Sequence, residues 1–74
     1  MSMTEFENKA KFVQLRLLPM IQAIDPIIVS AEYGCCEDAE SVDVFYRNRD
    51  CPSHVNVTGD GLWSIAKDVL EAIA

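Results

Sequence analysis

The amino-acid sequence predicts a two-layer α+β domain of order αβββα, a three-stranded antiparallel meander with both helices packed on one face. Three observations predict this fold. Apolar stripes with helical spacing run through residues 3–24 and 62–73. Three segments between them alternate apolar and polar residues, as half-buried strands do. Short connections between those segments favour antiparallel neighbours, and the single apolar face of each strand places both helices on the same side.

Length and composition indicate one small domain over residues 1–74. Half of the residues are apolar and 24% are charged, a balance that disordered chains lack. The uninterrupted apolar runs are only a few residues long, whereas a membrane-spanning helix needs about 20. The first residues also lack the basic and then apolar pattern of a signal peptide. We therefore expect a cytoplasmic protein that does not contact membranes.

The first helix is predicted over residues 3–24, with a disturbance at Pro19. Proline cannot donate a backbone hydrogen bond and clashes with the preceding turn, so we expect a kink or a break that opens a short second helix. The stripe that should face the core consists of Phe6, Ala10, Val13, Leu17, Met20, Ile21 and Ile24. A smaller apolar set, Phe12, Leu15 and Pro19, lies nearly opposite, and it is covered either by the domain itself or by a partner.

Strands are predicted over residues 27–33, 41–47 and 53–57, with an acidic loop over 34–40. Alternation turns Val42, Val44 and Tyr46 inward. The residues that should share the open face of the sheet are Ile28, Ser30, Glu32, Asp43, Phe45, Arg47, His54 and Asn56. Ile28 and Phe45 are unusual on a solvated sheet, which favours a contact surface there.

The last helix has the clearest pattern, and Thr58 or Asp60 is predicted to cap it. Its core stripe consists of Leu62, Ile65, Ala66, Val69, Leu70 and Ile73. Trp63 falls at the boundary between this stripe and the polar side.

The cysteines do not have the pattern of a metal site or a disulfide framework. Their number is three, which is odd, so we expect reduced thiols. In a meander, Cys35 and Cys36 lie at the opposite end of the sheet from Cys51 and His54, roughly 17–20 Å away. One zinc ion cannot span that distance, nor can a disulfide between Cys35 and Cys51.

Catalysis is not expected either. Asp50, Cys51 and His54 are close in sequence, but a catalytic cysteine also needs a cleft and an oxyanion site, which the sequence does not indicate. Residues 58–61, Thr-Gly-Asp-Gly, lack the lysine and the glycine spacing of a phosphate-binding loop. We therefore predict no enzymatic activity, no cofactor and no metal.

Charge argues against direct nucleic-acid binding, since twelve acids and six bases give a formal charge of −6. Four of the acids concentrate in the loop and in the strand that follows it: Glu37, Asp38, Glu40 and Asp43. They form either an ordinary solvated turn or a surface that imitates nucleic-acid phosphates and binds a basic protein.

Together these patterns predict a non-catalytic protein-interaction module that binds a protein partner or forms a homodimer. The candidate partner-binding residues are the apolar Phe12, Leu15, Pro19 and Phe45 and the acidic Glu37, Asp38, Glu40 and Asp43. The alternative is an acidic inhibitor, a nucleic-acid mimic that binds a basic, nucleic-acid-binding protein.

Overall fold

A computed structural model describes residues 3–73, so that Met1, Ser2 and Ala74, the ends of the predicted domain, lie outside the described residues. The elements in chain order are α1 (Met3–Phe12), a π-helical segment (Val13–Leu17), α2 (Leu18–Ile24), β1 (Ile28–Cys36), β2 (Ala39–Tyr46), β3 (Ser53–Asn56) and α3 (Leu62–Ile73). The sheet is antiparallel with strand order β1-β2-β3. The predicted α+β fold is confirmed.

The first three elements form one continuous N-terminal helix. The backbone of Leu17 and of Leu18 stays helical, with φ/ψ of −70/−45° and −57/−49°, so the chain does not break at Pro19. The amide of Leu18 donates to the Val13 carbonyl, five residues back, which widens the turn before the proline. A wider turn relieves the clash that a proline ring makes with a regular helical turn.

This π turn also changes which residues of α2 face the core. Val13, Leu17 and Ile21 are fully buried. Met20 and Ile24, which the straight-helix stripe places in the core, are exposed, with 41% and 60% of their accessible surface retained. The extra residue in the π turn rotates α2 about the helix axis relative to a regular α-helix. The buried residues Val13, Leu17 and Ile21 are therefore spaced four apart, and no residue between them is fully buried.

The start of β1 differs from the predicted alternation. Ile28 pairs with Tyr46 and Ser30 pairs with Phe45, so β1 has one residue more than β2 in this stretch, a β-bulge. A bulge reverses the direction of the side chains that precede it. Ile28 is therefore buried in the core, and Val29 takes its place on the open face with 47% exposure.

The β1–β2 connection is shorter than the predicted loop 34–40. Both strands extend into that segment, and Cys36 pairs with Ala39 across a two-residue turn of Glu37 and Asp38. Glu37 has φ 55°, in the left-handed region that two-residue hairpins require. The acidic composition suggested a loop, but Gly34, Cys35 and Cys36 continue the extended ladder.

Buried side chains of the sheet and of both helices form a single core on one face of the sheet. The fully buried large members are Leu17, Ile21, Ile28, Ile65, Val13, Val42, Val44, Val57 and Val69. Two glutamines also fix the N-terminal helix to β1: the Nε2 of Gln14 donates to the Ala31 carbonyl at 2.6 Å, and that of Gln22 donates to the Ile28 carbonyl at 3.2 Å. Within residues 3–73, none of the helices is both long and apolar enough to cross a membrane.

Candidate functional site

Trp63 is the most conspicuous surface feature of the described chain. It lies in the first turn of α3 and is 80% exposed, although the same helix buries Ile65, Ala66 and Val69. Its neighbour Leu62 is 43% exposed. Large aromatic side chains usually cover much of their surface in the folded chain, so an exposed indole beside an exposed leucine indicates a contact surface.

The start of α3 is fixed by hydrogen bonds to Glu40, in β2. The Glu40 carbonyl accepts from the amide of Val57 at 3.0 Å, and the Glu40 amide donates to the Thr58 hydroxyl at 2.9 Å. The amide of Gly59 donates to Oε2 of Glu40 at 2.9 Å. Gly59 has φ +78°, which glycine adopts without strain. Thr58 is thus bound to β2 rather than capping α3, and the approach to Trp63 is anchored to the sheet.

Glu40 is also the centre of a buried polar cluster. Its carboxylate is only 8% exposed, and its Oε1 accepts from the Lys9 ammonium at 2.6 Å and from the Tyr33 hydroxyl at 2.5 Å. Burial alone would raise the pKa of Glu40, but the hydrogen bonds from Lys9, Tyr33 and Gly59 outweigh it and lower the pKa to about 2. For Tyr33, burial and the bond to Glu40 raise the pKa well above its usual value. The cluster joins the N-terminal helix, β1, β2 and the approach to α3.

A second acidic contact lies beside this cluster, between Asp60 and Asp68. Hydrogen bonding to Asp68, together with burial, raises the pKa of Asp60. Oδ2 of Asp60 is buried and has no hydrogen-bond donor among the described residues. Two carboxylates can bond to each other only when one carries a proton, so this contact favours the protonated form of Asp60.

The four acids predicted to form one surface are divided by the fold. Glu37 and Asp38 are exposed at the hairpin tip. Glu40 faces the core side, where it is only 7% exposed. Asp43 lies on the open face of the sheet, and its Oδ1 is 2.7 Å from Nδ1 of His54 on the neighbouring strand. The acidic surface at the tip therefore consists of two residues rather than four.

The predicted apolar contact residues also differ in exposure. Leu15 is 68% exposed and Pro19 is exposed, whereas Phe12 is half-buried and packs against the core. Phe45 is half-buried on the open face, where its cross-strand neighbour is Ser30. Phe12 thus has a structural role, and Leu15, Pro19 and Phe45 remain accessible to a partner.

The cysteines and His54 occupy the positions that the meander predicts. Cys35 and Cys36 lie at the hairpin tip, and Cys51 precedes β3 at the other end of the sheet; all three are exposed free thiols. His54 bonds to Asp43. Among residues 3–73, no three His, Cys, Asp or Glu side chains lie close enough together to hold a metal ion, and no pocket is found.

Sequence reasoning missed the importance of Trp63 and of Glu40. The helical pattern places Trp63 at the edge of the α3 stripe, and a tryptophan at such an edge is compatible with either burial or exposure. Composition groups Glu40 with the loop acids, yet it has the same parity as the inward-facing Val42, Val44 and Tyr46. That parity was the available signal for its orientation.

Comparison with known proteins gives no relative: no protein-family model, no curated protein and no solved structure matches this chain.

Proposed function

We propose that this chain is a small, non-catalytic protein-interaction module whose main contact residue is Trp63. The observation that carries the proposal is the 80% exposure of this indole in the first turn of a helix that buries Ile65, Ala66 and Val69 in the core. Tryptophan is among the residues most enriched where protein interfaces concentrate their binding energy. Its ring offers a large apolar surface and its Nε1–H offers a donor, a combination suited to a partner pocket.

The rigidity of the surrounding backbone supports this role. Glu40 holds Gly59 and Thr58 directly before α3, and Ile65, Ala66 and Val69 fix the helix to the core. A contact residue on a preformed element loses less conformational entropy on binding than one on a disordered loop.

The alternative proposal, an acidic inhibitor or nucleic-acid mimic that binds a basic protein, has less support. A nucleic-acid mimic needs carboxylates that are free to meet a basic partner. Glu40 is bonded to Lys9 and Asp43 to His54, so among the four acids only Glu37 and Asp38 at the hairpin tip are exposed without such a bond. Two charges accelerate and orient an encounter more than they hold a complex together.

Affinity capture with matched surface variants tests the two proposals. The wild-type protein, Trp63→Ala, Leu15→Ala and the double variant Glu37→Gln/Asp38→Asn are immobilised and exposed to lysate of the producing cells. We expect a protein that the wild type and Leu15→Ala retain and that Trp63→Ala loses. Leu15 is the matched control because it is also apolar and highly exposed.

Retention by Trp63→Ala combined with loss by the acidic double variant would favour the mimic instead. Equal retention by all four proteins would contradict both proposals. The melting temperature of each variant is measured alongside; because Trp63 is so exposed, we expect Trp63→Ala to change the free energy of unfolding by no more than about 0.5 kcal/mol.

A further inference from the structure

The open face of the sheet carries an ordered pattern of charge along its central strand. β2 turns Val42, Val44 and Tyr46 into the core, which leaves Asp43 and Phe45 on the opposite face. Arg47 continues this alternation beyond the end of β2, and its amide still pairs with the Ile27 carbonyl at 2.8 Å. Phe45 therefore has an acid about 7 Å before it and a base about 7 Å after it along the strand.

The β-bulge adds a second apolar side chain to this surface. It turns Val29 out of the core to 47% exposure, on the strand next to Phe45 and beside its pairing partner Ser30. The centre of the open face is thus apolar. The surrounding polar residues include Glu32, which pairs with Asp43 across the strands, and the exposed Arg47. An apolar centre with a charged rim is the usual composition of a protein contact surface.

We propose that this face binds the same face of a second copy of the chain, with the two β2 strands antiparallel across the contact. A two-fold axis between the sheets, perpendicular to β2 at Phe45, brings the two Phe45 rings together. It also places Asp43 of each copy opposite Arg47 of the other. The order Asp43, Phe45, Arg47 is complementary to itself only when the two β2 strands run antiparallel under such an axis. If the two strands ran parallel, Asp43 of one copy would lie opposite Asp43 of the other.

The size of the surface predicts a weak dimer. Three strands at about 4.8 Å spacing and a central strand of about 27 Å give a face on the order of 400 Å² per copy. Both copies together bury about 800 Å², below the roughly 1,200 Å² of stable complexes, so we expect a weak and transient dimer. The dimer extends the proposed interaction role to a second surface and leaves Trp63 on α3 free for a different protein.

A charge-swap series tests this contact by sedimentation velocity over concentrations from about 1 µM to 1 mM, a range that reaches the weak end of protein association. We expect Arg47→Asp and Asp43→Arg each to weaken the dimer at least tenfold, because each places like charges opposite one another. An equimolar mixture of the two variants should dimerise again, since every acid then faces a base. The double variant Asp43→Arg/Arg47→Asp should also dimerise.

Two further variants distinguish dimerisation through the open face of the sheet from dimerisation through another surface. Phe45→Glu should abolish the dimer, while Trp63→Ala should leave it unchanged. A wild type that stays monomeric up to 1 mM overturns the proposal, as does a dimer that the single charge variants do not weaken or that their mixture does not restore. If no dimer forms but Trp63→Ala still loses a captured partner, only the dimer proposal is contradicted. If the dimer forms as described but Trp63→Ala loses no partner, only the proposed function is contradicted.

Discussion

Lys9 and Glu40 form an ion pair with an Nζ–Oε1 distance of 2.6 Å, although 31 positions separate them in the chain. Both side chains are largely withdrawn from water, at 14% and 8% exposure. The pair fixes the start of the N-terminal helix to the start of β2. Gly59 also donates to the Glu40 carboxylate, so the ion pair helps to position the chain that leads into α3 and Trp63.

Removing the cation of this pair should destabilise the domain strongly. Lys9→Met leaves a buried carboxylate that keeps the donors of Tyr33 and Gly59 but loses its counter-charge, and such changes cost about 3 kcal/mol. Lys11→Met is the matched control, because Lys11 is exposed on the same helix. Urea unfolding measures both. Equal effects of the two substitutions would show that the pair contributes little.

The low pKa of Glu40 should make stability fall in acid. Between about pH 2 and pH 4.5 the unfolded chain holds a proton on Glu40 that the native state has released. The free energy of unfolding therefore decreases as pH falls through this window, by up to about 3 kcal/mol. Glu40→Gln should remove this part of the pH dependence and Glu37→Gln should retain it. Thermal unfolding of the three proteins at a series of pH values provides the comparison.

The contact between Asp60 and Asp68 should act in the opposite direction. The native state keeps a proton on Asp60 above its ordinary pKa of 3.8, so this pair lowers stability as pH rises beyond that value. Asp68→Asn supplies an amide donor and removes one charge. We expect a higher melting temperature at pH 7 than for the wild type, and no such gain for Asp50→Asn on the exposed β2–β3 connection. A gain of the same size in both variants would point to net charge as the cause.

The hairpin turn should gain stability from glycine at one position only. Glu37 has φ 55°, a conformation that costs an ordinary residue about 1 kcal/mol more than glycine. Glu37→Gly should therefore raise the free energy of unfolding by up to about 1 kcal/mol. Asp38→Gly removes the same charge but relieves no positive φ, and it should lower stability or leave it unchanged. Chemical denaturation decides, and a larger gain from Asp38→Gly would contradict the assigned turn.

Periodicity predicted the order of elements and most of the core because both depend on local patterns. In the α3 stripe Ile65, Ala66 and Val69 are buried, whereas Leu62, which the pattern places in the core, is exposed. In β2, Val42, Val44 and Tyr46 face inward as the alternation indicates. Two of the errors in facing depended on single-residue insertions. The bulge before Ser30 exchanged Ile28 for Val29, and the π turn moved Met20 and Ile24 out of the core. An extra residue of this kind changes facing without changing composition, so no pattern of residue types shows where it occurs.

The candidate site was harder to predict for a different reason. Lys9, Tyr33 and Glu40 come from three elements, and their proximity depends on how the N-terminal helix crosses the sheet. A local pattern contains no information on such a crossing. Leu15 is exposed and Phe45 is half-buried on the open face of the sheet, whereas the exposure of Trp63 depends on the way residues 57–61 direct the chain into α3.

The π turn over Val13–Leu17 contains one residue more than a regular α-helix would need to turn the same side chains toward the core. Deleting Leu15 should convert it to regular α-helix while Val13 and Leu17 still face the core. Pro19 must change as well, to alanine for example, because its ring would otherwise meet the tightened turn. A deletion in α1 or α2 instead would rotate the rest of the helix by about 100° and carry its buried residues into solvent. Chain length in this helix is thus adjustable at one turn and fixed elsewhere.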